Sequence, residues 1–311
     1  MSRRKSGEPI SGWLILDKPL NLSSNAAIQQ VRRILNANKV GHAGTLDPLA
    51  TGVLPIALGE ATKAISLIVA DEKSYRFTVR FGEARSTDDS EGEVVARSSL
   101  RPTRAAILSL LPEFLGPVQQ RPPDFSAIQQ QGIRAYALAR RGEPMVLPLR
   151  TVRIDRLELV GFDQDQPDYA EFELDCGPGT YVRSLARDLG ERLGCFAFVS
   201  RLHRSRVGKI NESMAISLDK LAELRHSVEA INCVLPIVTQ LDDIPAVPVS
   251  AEEARLLKLG RAIAITPSRV KPSKSPRAQD RLEVIAICDG LVVALGKIKQ
   301  EQFCPYRIFN L

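Results

Sequence analysis

One carboxylate in this chain sits in a stretch whose backbone is tightly prescribed. Asp47 lies within Gly41-His42-Ala43-Gly44-Thr45-Leu46-Asp47-Pro48-Leu49-Ala50-Thr51-Gly52-Val53-Leu54-Pro55, where three glycines and two prolines impose an irregular path around a single acid. Pro48 also biases Asp47 away from helix towards an extended backbone. An isolated Asp-Pro is ordinary turn chemistry; the punctuation on both sides is what singles this one out. Hydrolysis by a carboxylate pair finds no second acid at a recognisable spacing. The five cysteines (Cys176, Cys195, Cys233, Cys288, Cys304) form no C-x-x-C pair, and His42, His203 and His226 are far apart in sequence. That pattern supports neither a zinc site nor a disulfide framework, and it predicts buried, reduced thiols.

The elements around this loop can be read from periodicity. Residues 12–17 form an apolar strand ending at Lys18-Pro19, and Ser23 or Ser24 can cap a helix carrying Ile28, Val31, Ile34 and Leu35. The loop at 41–52 leads into a short strand at 53–58, and Glu60-Ala61-Thr62 opens a second helix. Tyr75, Phe77, Val79 and Phe81 alternate with Arg76, Thr78 and Arg80, which predicts a half-buried strand. An acidic loop follows at 86–92. Strands are expected near 150–160, 169–176 and 195–207, with a helix at 180–193. Single strands and hairpins interleaved with helices indicate mixed α/β or α+β, not a wound parallel sheet. Pro236, Pro245 and Pro248 suggest a linker over 235–248. The organisation expected is therefore a domain over 1–240 and a small unit over 241–311, the latter with a helix closed by Gly260 and strands at 282–288, 291–298 and 303–309. Residues 266–277, polar, basic and proline-rich, read as a mobile loop.

At 311 residues, 44% hydrophobic and 25% charged, the composition is that of a soluble globular protein. No apolar run approaches the 18 or more residues that span a bilayer, and the basic N-terminus leads into no signal core, so a cytoplasmic location is expected. A net charge of +6 points to a polyanionic partner. Arg201, His203, Arg204, Arg206 and Lys209 form one basic cluster and Arg140-Arg141 another, both suited to neutralising phosphates.

The 41–55 stretch resembles the catalytic motif of the TruB family of pseudouridine synthases, G-H-x-G-T/A-L-D-P-x-A-x-G-x-L-P. Other blocks agree in order: Lys18-Pro19; Ser126-Ala127, Gly132, Arg134, Tyr136, Ala139-Arg140 and Gly142; Cys176 to Ser184 with Asp188-Leu189-Gly190; and Leu202, Arg204 and Val207-Gly208. The resemblance spans residues 10–220, and the tail only in outline. Gln129 stands where many members have lysine, and Gly177-Pro178 replaces a more usual Ser-Lys, so two positive charges are missing.

This resemblance implies a catalytic domain built on a central, mostly antiparallel sheet with flanking helices, plus a small β-rich PUA-like C-terminal domain. It implies isomerisation of the T-loop uridine at tRNA position 55, with Asp47 as nucleophile or electrostatic partner. A base-sized pocket disfavours a bare carboxylate charge, so a fixed cation is required, and Arg183 is the candidate, able to pair bidentately. Tyr75 is implied to stack on the base, completing the catalytic set of Asp47, Arg183 and Tyr75. His42, Tyr181, Leu202 and Lys18 are implied substrate-binding residues, His42 filling the space that the extruded base leaves. The expected partner is tRNA, acted on by a monomer without an obligatory protein partner, a membrane, a metal or an organic cofactor. Two other readings carry the same motifs: a guide-RNA-dependent enzyme of the dyskerin type, and a tRNA-folding chaperone without catalysis.

Overall fold

Strands arise where the sequence alternates or runs apolar. The computed structural model describes residues 7–69, 72–126, 128–130, 132–141, 146–225, 227–273 and 283–311. The chain opens with β1 (Gly12–Lys18), α1 (Ser24–Ile34), β2 (Val40–His42), β3 (Ala50–Leu58), α2 (Ile65–Val69) and β4 (Lys73–Phe81). The pair β5 (Glu83–Arg85) and β6 (Val94–Arg97), α3 (Arg104–Leu110) and β7 (Gly116–Gln120) follow, then β8 (Gln129–Gln130), β9 (Ile133–Arg134) and α4 (Ala135–Arg140). Next come β10 (Arg150–Phe162), β11 (Tyr169–Cys176), α5 (Val182–Arg192), β12 (Ala197–Val207), β13 (Ile210–Asn211), β14 (Ile216–Ser217), α6 (Leu218–Glu223) and α7 (Val228–Asn232). The C-terminal part holds β15 (Ala246–Pro248), α8 (Ala251–Lys258), β16 (Ile263–Ala264), β17 (Val284–Cys288), β18 (Leu291–Lys299) and β19 (Gln302–Ile308).

Among the described residues, ten strands make one sheet, ordered β14-β1-β3-β12-β4-β11-β10-β7, with β2 on β3 and β13 on β12. Pairing is antiparallel except β1 with β14 and β3 with β12. β4 is central, and its expected alternation holds, with Tyr75, Phe77, Val79 and Phe81 buried. Phe77 stacks on Phe172 of β11 at 5.2 Å between ring centres, a pairing of about 1 kcal/mol beyond area burial. That face packs α1 and α5 into the larger core. α1 is capped by Ser23, whose hydroxyl accepts the Ala26 N–H at 3.1 Å, and it buries Ala27, Ile28 and Val31.

Three sequence expectations change. The strand expected at 53–58 begins at Ala50, so only residues 43–49 form the loop. Gly52 permits this extension: its φ is +96°, and an added Cβ would lie 2.3 Å from the Arg204 carbonyl oxygen. The helix opened by Glu60 is a 3₁₀ segment, Gly59–Ala64, running into α2. The segment 235–248 is not a free linker: Ile237, Leu241, Ile244 and Val247 are buried.

The C-terminal sheet, ordered β15-β17-β18-β19-β16, is β-rich as expected. Ser250 and Glu253 form a capping box on α8. Ile285, Val292, Leu295 and Phe309 share one core with Trp13, Ile15, Val53 and Ala57 of the large sheet, joined through Ile237, Leu241 and Ile244. Of the segment expected to be mobile, residues 266–273 are anchored, with Arg269 donating to both Glu253 carboxylate oxygens at 2.8 Å and Lys271 bridging to Ala246; residues 274–277 lie outside the described residues.

Candidate active site

The parallel junction of β3 and β12 builds the site. It sets Leu202, His203 and Arg204 beside Ala50, Thr51 and Gly52, so the loop before β3 emerges against the middle of the sheet. The peptide groups flanking Asp47 are then fixed from both sides. Buried Ser24, at the start of α1, accepts the Leu46 N–H and donates to the Leu46 carbonyl, each at 2.8 Å. Lys18, at the end of β1, donates to the carbonyls of Pro19 (2.8 Å), Leu22 (2.6 Å) and Pro48 (3.3 Å). Three acceptors match the three donors of an ammonium. Burial pushes the Lys18 pKa down to about 8, with the Asp47 charge pulling it back up. The Lys18 side chain is fully buried and committed to the loop.

Arg183 reaches this loop from the first turn of α5. Its Nε lies 2.9 Å from Asp47 Oδ2, with the N–H angled off the oxygen, so the contact is an ion pair rather than an aligned hydrogen bond. Its terminal nitrogens do not form the expected bidentate pair with Asp47. Nη1 donates to the Thr87 carbonyl and Nη2 to the Phe125 carbonyl, both at 2.9 Å, and Nη1 is 3.6 Å from Asp89 Oδ2. A guanidinium bound on three sides cannot swing, so the carboxylate faces a stationary charge. The Arg183 side chain is 4% exposed and that of Asp47 34%, which leaves the carboxylate at an open mouth with its counter-charge behind it.

α5 is itself tied down. Buried Gln120, at the end of β7, accepts the Tyr181 N–H at 2.8 Å and donates to the Tyr181 carbonyl at 3.1 Å. Ser184 and Arg187 both donate to the Arg121 carbonyl at 2.8 Å. Arg187 also pairs with Asp88 and Asp188, each at 2.9 Å. Burial raises the Asp89 pKa, opposed by a hydrogen bond from Thr87 and the Arg183 charge, and burial lifts Asp88 to about 6.

The other expected residues lie on β4, β12 and β2 and just before α5. Tyr75 is buried on β4; burial pushes its hydroxyl up to about 12, with the neighbouring Arg204 guanidinium pulling it back down. Leu202 is buried on β12, paired in register with Phe77 and Ala50. His42, on β2, has a buried Nδ1 with no partner among the described residues, and burial and then the Arg204 charge lower its pKa, which keeps the ring neutral. Tyr181 immediately precedes α5, with the Arg150 guanidinium 4.5 Å over its ring.

Arg204 is the residue the sequence reading misplaced. It is not part of a phosphate-binding surface: it is fully buried, donating to the carbonyls of Val53 (2.8 Å) and Gly44 (3.0 Å) beside Tyr75. Its signal was present, because position 204 shares the strand face of Leu202. The rest of that cluster is also engaged. Arg206 pairs with Asp175, Lys209 with Asp242 and His203 with Glu212, and Arg201 alone is exposed without an ion pair among the described residues. The Arg140 side chain lies outside the described residues. No group of three or more His, Cys, Asp or Glu side chains suited to a metal occurs among the described residues. No described helix is long and apolar enough to cross a membrane.

Residues 32–182 match the TruB family pseudouridylate synthase N-terminal domain and residues 183–241 the tRNA pseudouridylate synthase B C-terminal domain. The junction between the two falls at the start of α5, between β11 and β12 of the large sheet. The chain is 46% identical over 311 residues to the tRNA pseudouridine synthase B of Caulobacter vibrioides, covering 100% of both chains. It is 44% identical to that of Agrobacterium fabrum, covering 99% of this chain and 97% of the other. A chain in the crystal structure of a Cbf5–Nop10–Gar1 complex superposes with a TM-score of 0.73 at 23% identity, covering 96% of this chain and 85% of that one, a likeness of fold. With the motif loop, its paired arginine and full-length relatives in agreement, the chain belongs to the TruB family of pseudouridylate synthases.

Proposed function

We propose that this enzyme converts the uridine at position 55 in the T-loop of tRNA to pseudouridine, with Asp47, Arg183 and Tyr75 as its catalytic residues. The reaction breaks the N1–C1′ bond, turns the uracil and forms a C5–C1′ bond; C5 gives up a proton and N1 gains one, so no oxidant or reductant enters. The observation that carries this reading is the 2.9 Å contact between Asp47 and an Arg183 that is otherwise buried and fully engaged. It supplies an anion of fixed position at the mouth of the site, where charge develops on the sugar or base, with no reorganisation needed when it reacts.

The target nucleotide must leave its stack, at a cost of a few kcal/mol. Tyr75 offers a ring for the extruded base, with Tyr181 and Leu202 beside it. His42, neutral and lacking a partner for Nδ1, is suited to the vacated space, where a charged ring would be disfavoured. Substrate recognition falls to a monomer in the cytoplasm, without an obligatory protein partner. It has a catalytic domain over 1–240 and a PUA-like RNA-binding domain over 241–311.

The test is tritium release from tRNA transcript carrying 5-tritiated uridine, without any guide RNA. Wild type is expected to turn over and Asp47→Asn to lose turnover while still binding the transcript. Normal release by Asp47→Asn removes Asp47 from the chemistry. Absence of release by wild type until a guide is added identifies the guide-dependent reading.

A further inference from the structure

Arg150, at the start of β10, differs from several arginines of the large sheet and α5. Arg153, Arg156, Arg183, Arg187 and Arg206 each meet a carboxylate. Arg150 meets none among the described residues. One face of its guanidinium lies over the Tyr181 ring at 4.5 Å, Nη2 donates to the Gly179 carbonyl, and Nε is buried without a hydrogen-bond partner. The turn Gly177-Pro178-Gly179-Thr180 beneath it contributes no charge of its own. Stacking and one carbonyl therefore hold the group in place, with no carboxylate against it among the described residues.

The platform under it is rigid. The Gln120 amide grips both the N–H and the carbonyl of Tyr181, and Arg183, which holds Asp47, lies two residues further on. A guanidinium pinned by one face presents the remaining donors of its fork at the edge, the arrangement that accepts two phosphate oxygens. The geometry points to Arg150 as a substrate-binding residue that takes an RNA backbone phosphate next to the extruded nucleotide. This rests on the reading of Asp47 and Arg183 as the reaction centre. Tyr181 then has a second duty besides meeting the base: it carries the phosphate-binding arginine on its ring, so base and backbone are registered against one side chain.

The experiment is titration of a fluorescent T-stem-loop RNA with the full chain across salt concentrations, with wild type, Arg150→Gln and Arg150→Lys. Removing one phosphate contact flattens the slope of log affinity against log salt by about one unit. Between about 50 and 200 mM salt, Arg150→Gln is then expected to lose about threefold less affinity than wild type. Its KM should rise with kcat nearly unchanged, and Arg150→Lys should restore the slope because the charge returns. A wild-type slope in Arg150→Gln, or a kcat loss at unchanged KM, overturns the assignment. Should Arg150→Gln fail to fold, single methylphosphonate replacements in the RNA decide with wild-type protein alone. A neutral linkage beside the target uridine is expected to weaken binding, and indifference to every such linkage overturns the proposal. Salt slopes are read without turnover, so failure of the Asp47 reading would appear separately, as absence of tritium release by wild type.

Discussion

Replacing Arg183 with methionine separates its structural duty from its chemical one. The change strands the Thr87 and Phe125 carbonyls and leaves Asp89, whose side chain is 2% exposed, without its cation. A carbonyl left unsatisfied costs about 1–3 kcal/mol when buried, and an uncompensated buried charge about 3–5. Because Asp89 keeps a hydrogen bond from Thr87 and the Glu91 N–H at 3.0 Å, we expect a total of about 4 kcal/mol. Asp89→Asn alone removes one long charge contact and should cost about 1 kcal/mol. In the double variant no buried charge remains, so the loss should be about 3 kcal/mol and the coupling about 2. Urea unfolding followed through Trp13, the sole tryptophan and fully buried, measures all four proteins. Tritium release should stay absent in Arg183→Met and in the double variant, since Asp47 has lost its partner in both. Burial already raises the Asp89 pKa, and losing Arg183 raises it further, so the penalty of Arg183→Met should shrink as pH falls from neutral and Asp89 protonates. Free energies that add within about 0.5 kcal/mol would show that Asp89 and Arg183 are energetically independent and refute the reasoning.

Other outcomes follow from particular contacts. Asp88 titrates near 6 against its ordinary 3.8, so the folded state holds that proton more tightly and wild-type stability falls as pH rises through this window. Asp88→Asn should remove the slope and gain up to about 2 kcal/mol at neutral pH, helped by a left-handed φ of +59° that asparagine tolerates; a pH-independent difference contradicts this. Lys18 shows the opposite dependence. With its pKa near 8 in the fold against 10.5, wild-type stability should rise between those values, while Lys18→Met should lack the rise and lose about 2–4 kcal/mol from three orphaned carbonyls. Phe309→Ala should cost about 3–5 kcal/mol and shift Trp13 fluorescence and circular dichroism together, because both residues share one core. An unmoved Trp13 transition would mean that the C-terminal sheet is energetically separate.

What the sequence made legible was local. Period-two alternation gave β4, and the glycine and proline punctuation singled out the Asp47 loop. The long-range pairings were hidden. Nothing in residues 50–52 or 202–204 announces that they lie side by side in parallel, yet that junction buries Arg204 and turns it towards Tyr75. The burial of Lys18 was equally hidden, since it depends on three turn carbonyls that converge on its ammonium only in the fold. The segment 235–248 was misjudged because its prolines outweighed Ile237, Leu241 and Ile244, whose spacing of four and three marks a buried face.

The two sides of the large sheet explain why a net charge of +6 says so little about where RNA binds. Opposite the face carrying Tyr75 and Phe77, Arg76 pairs with Glu173 and Glu212, Arg156 with Glu158, Glu173 and Asp175, and Arg206 with Asp175. Such pairs contribute little stability when exposed, but they cancel the field that would attract a phosphate backbone. Further along the same side, β1 and β3 are covered by the C-terminal sheet. Much of the arginine content is thereby neutralised, and the arginines of the active side are turned inward on Asp47, Tyr75 and loop carbonyls. On this architecture the total charge is a poor guide to where a polyanion would bind, because on this side of the sheet arginine and carboxylate alternate and cancel.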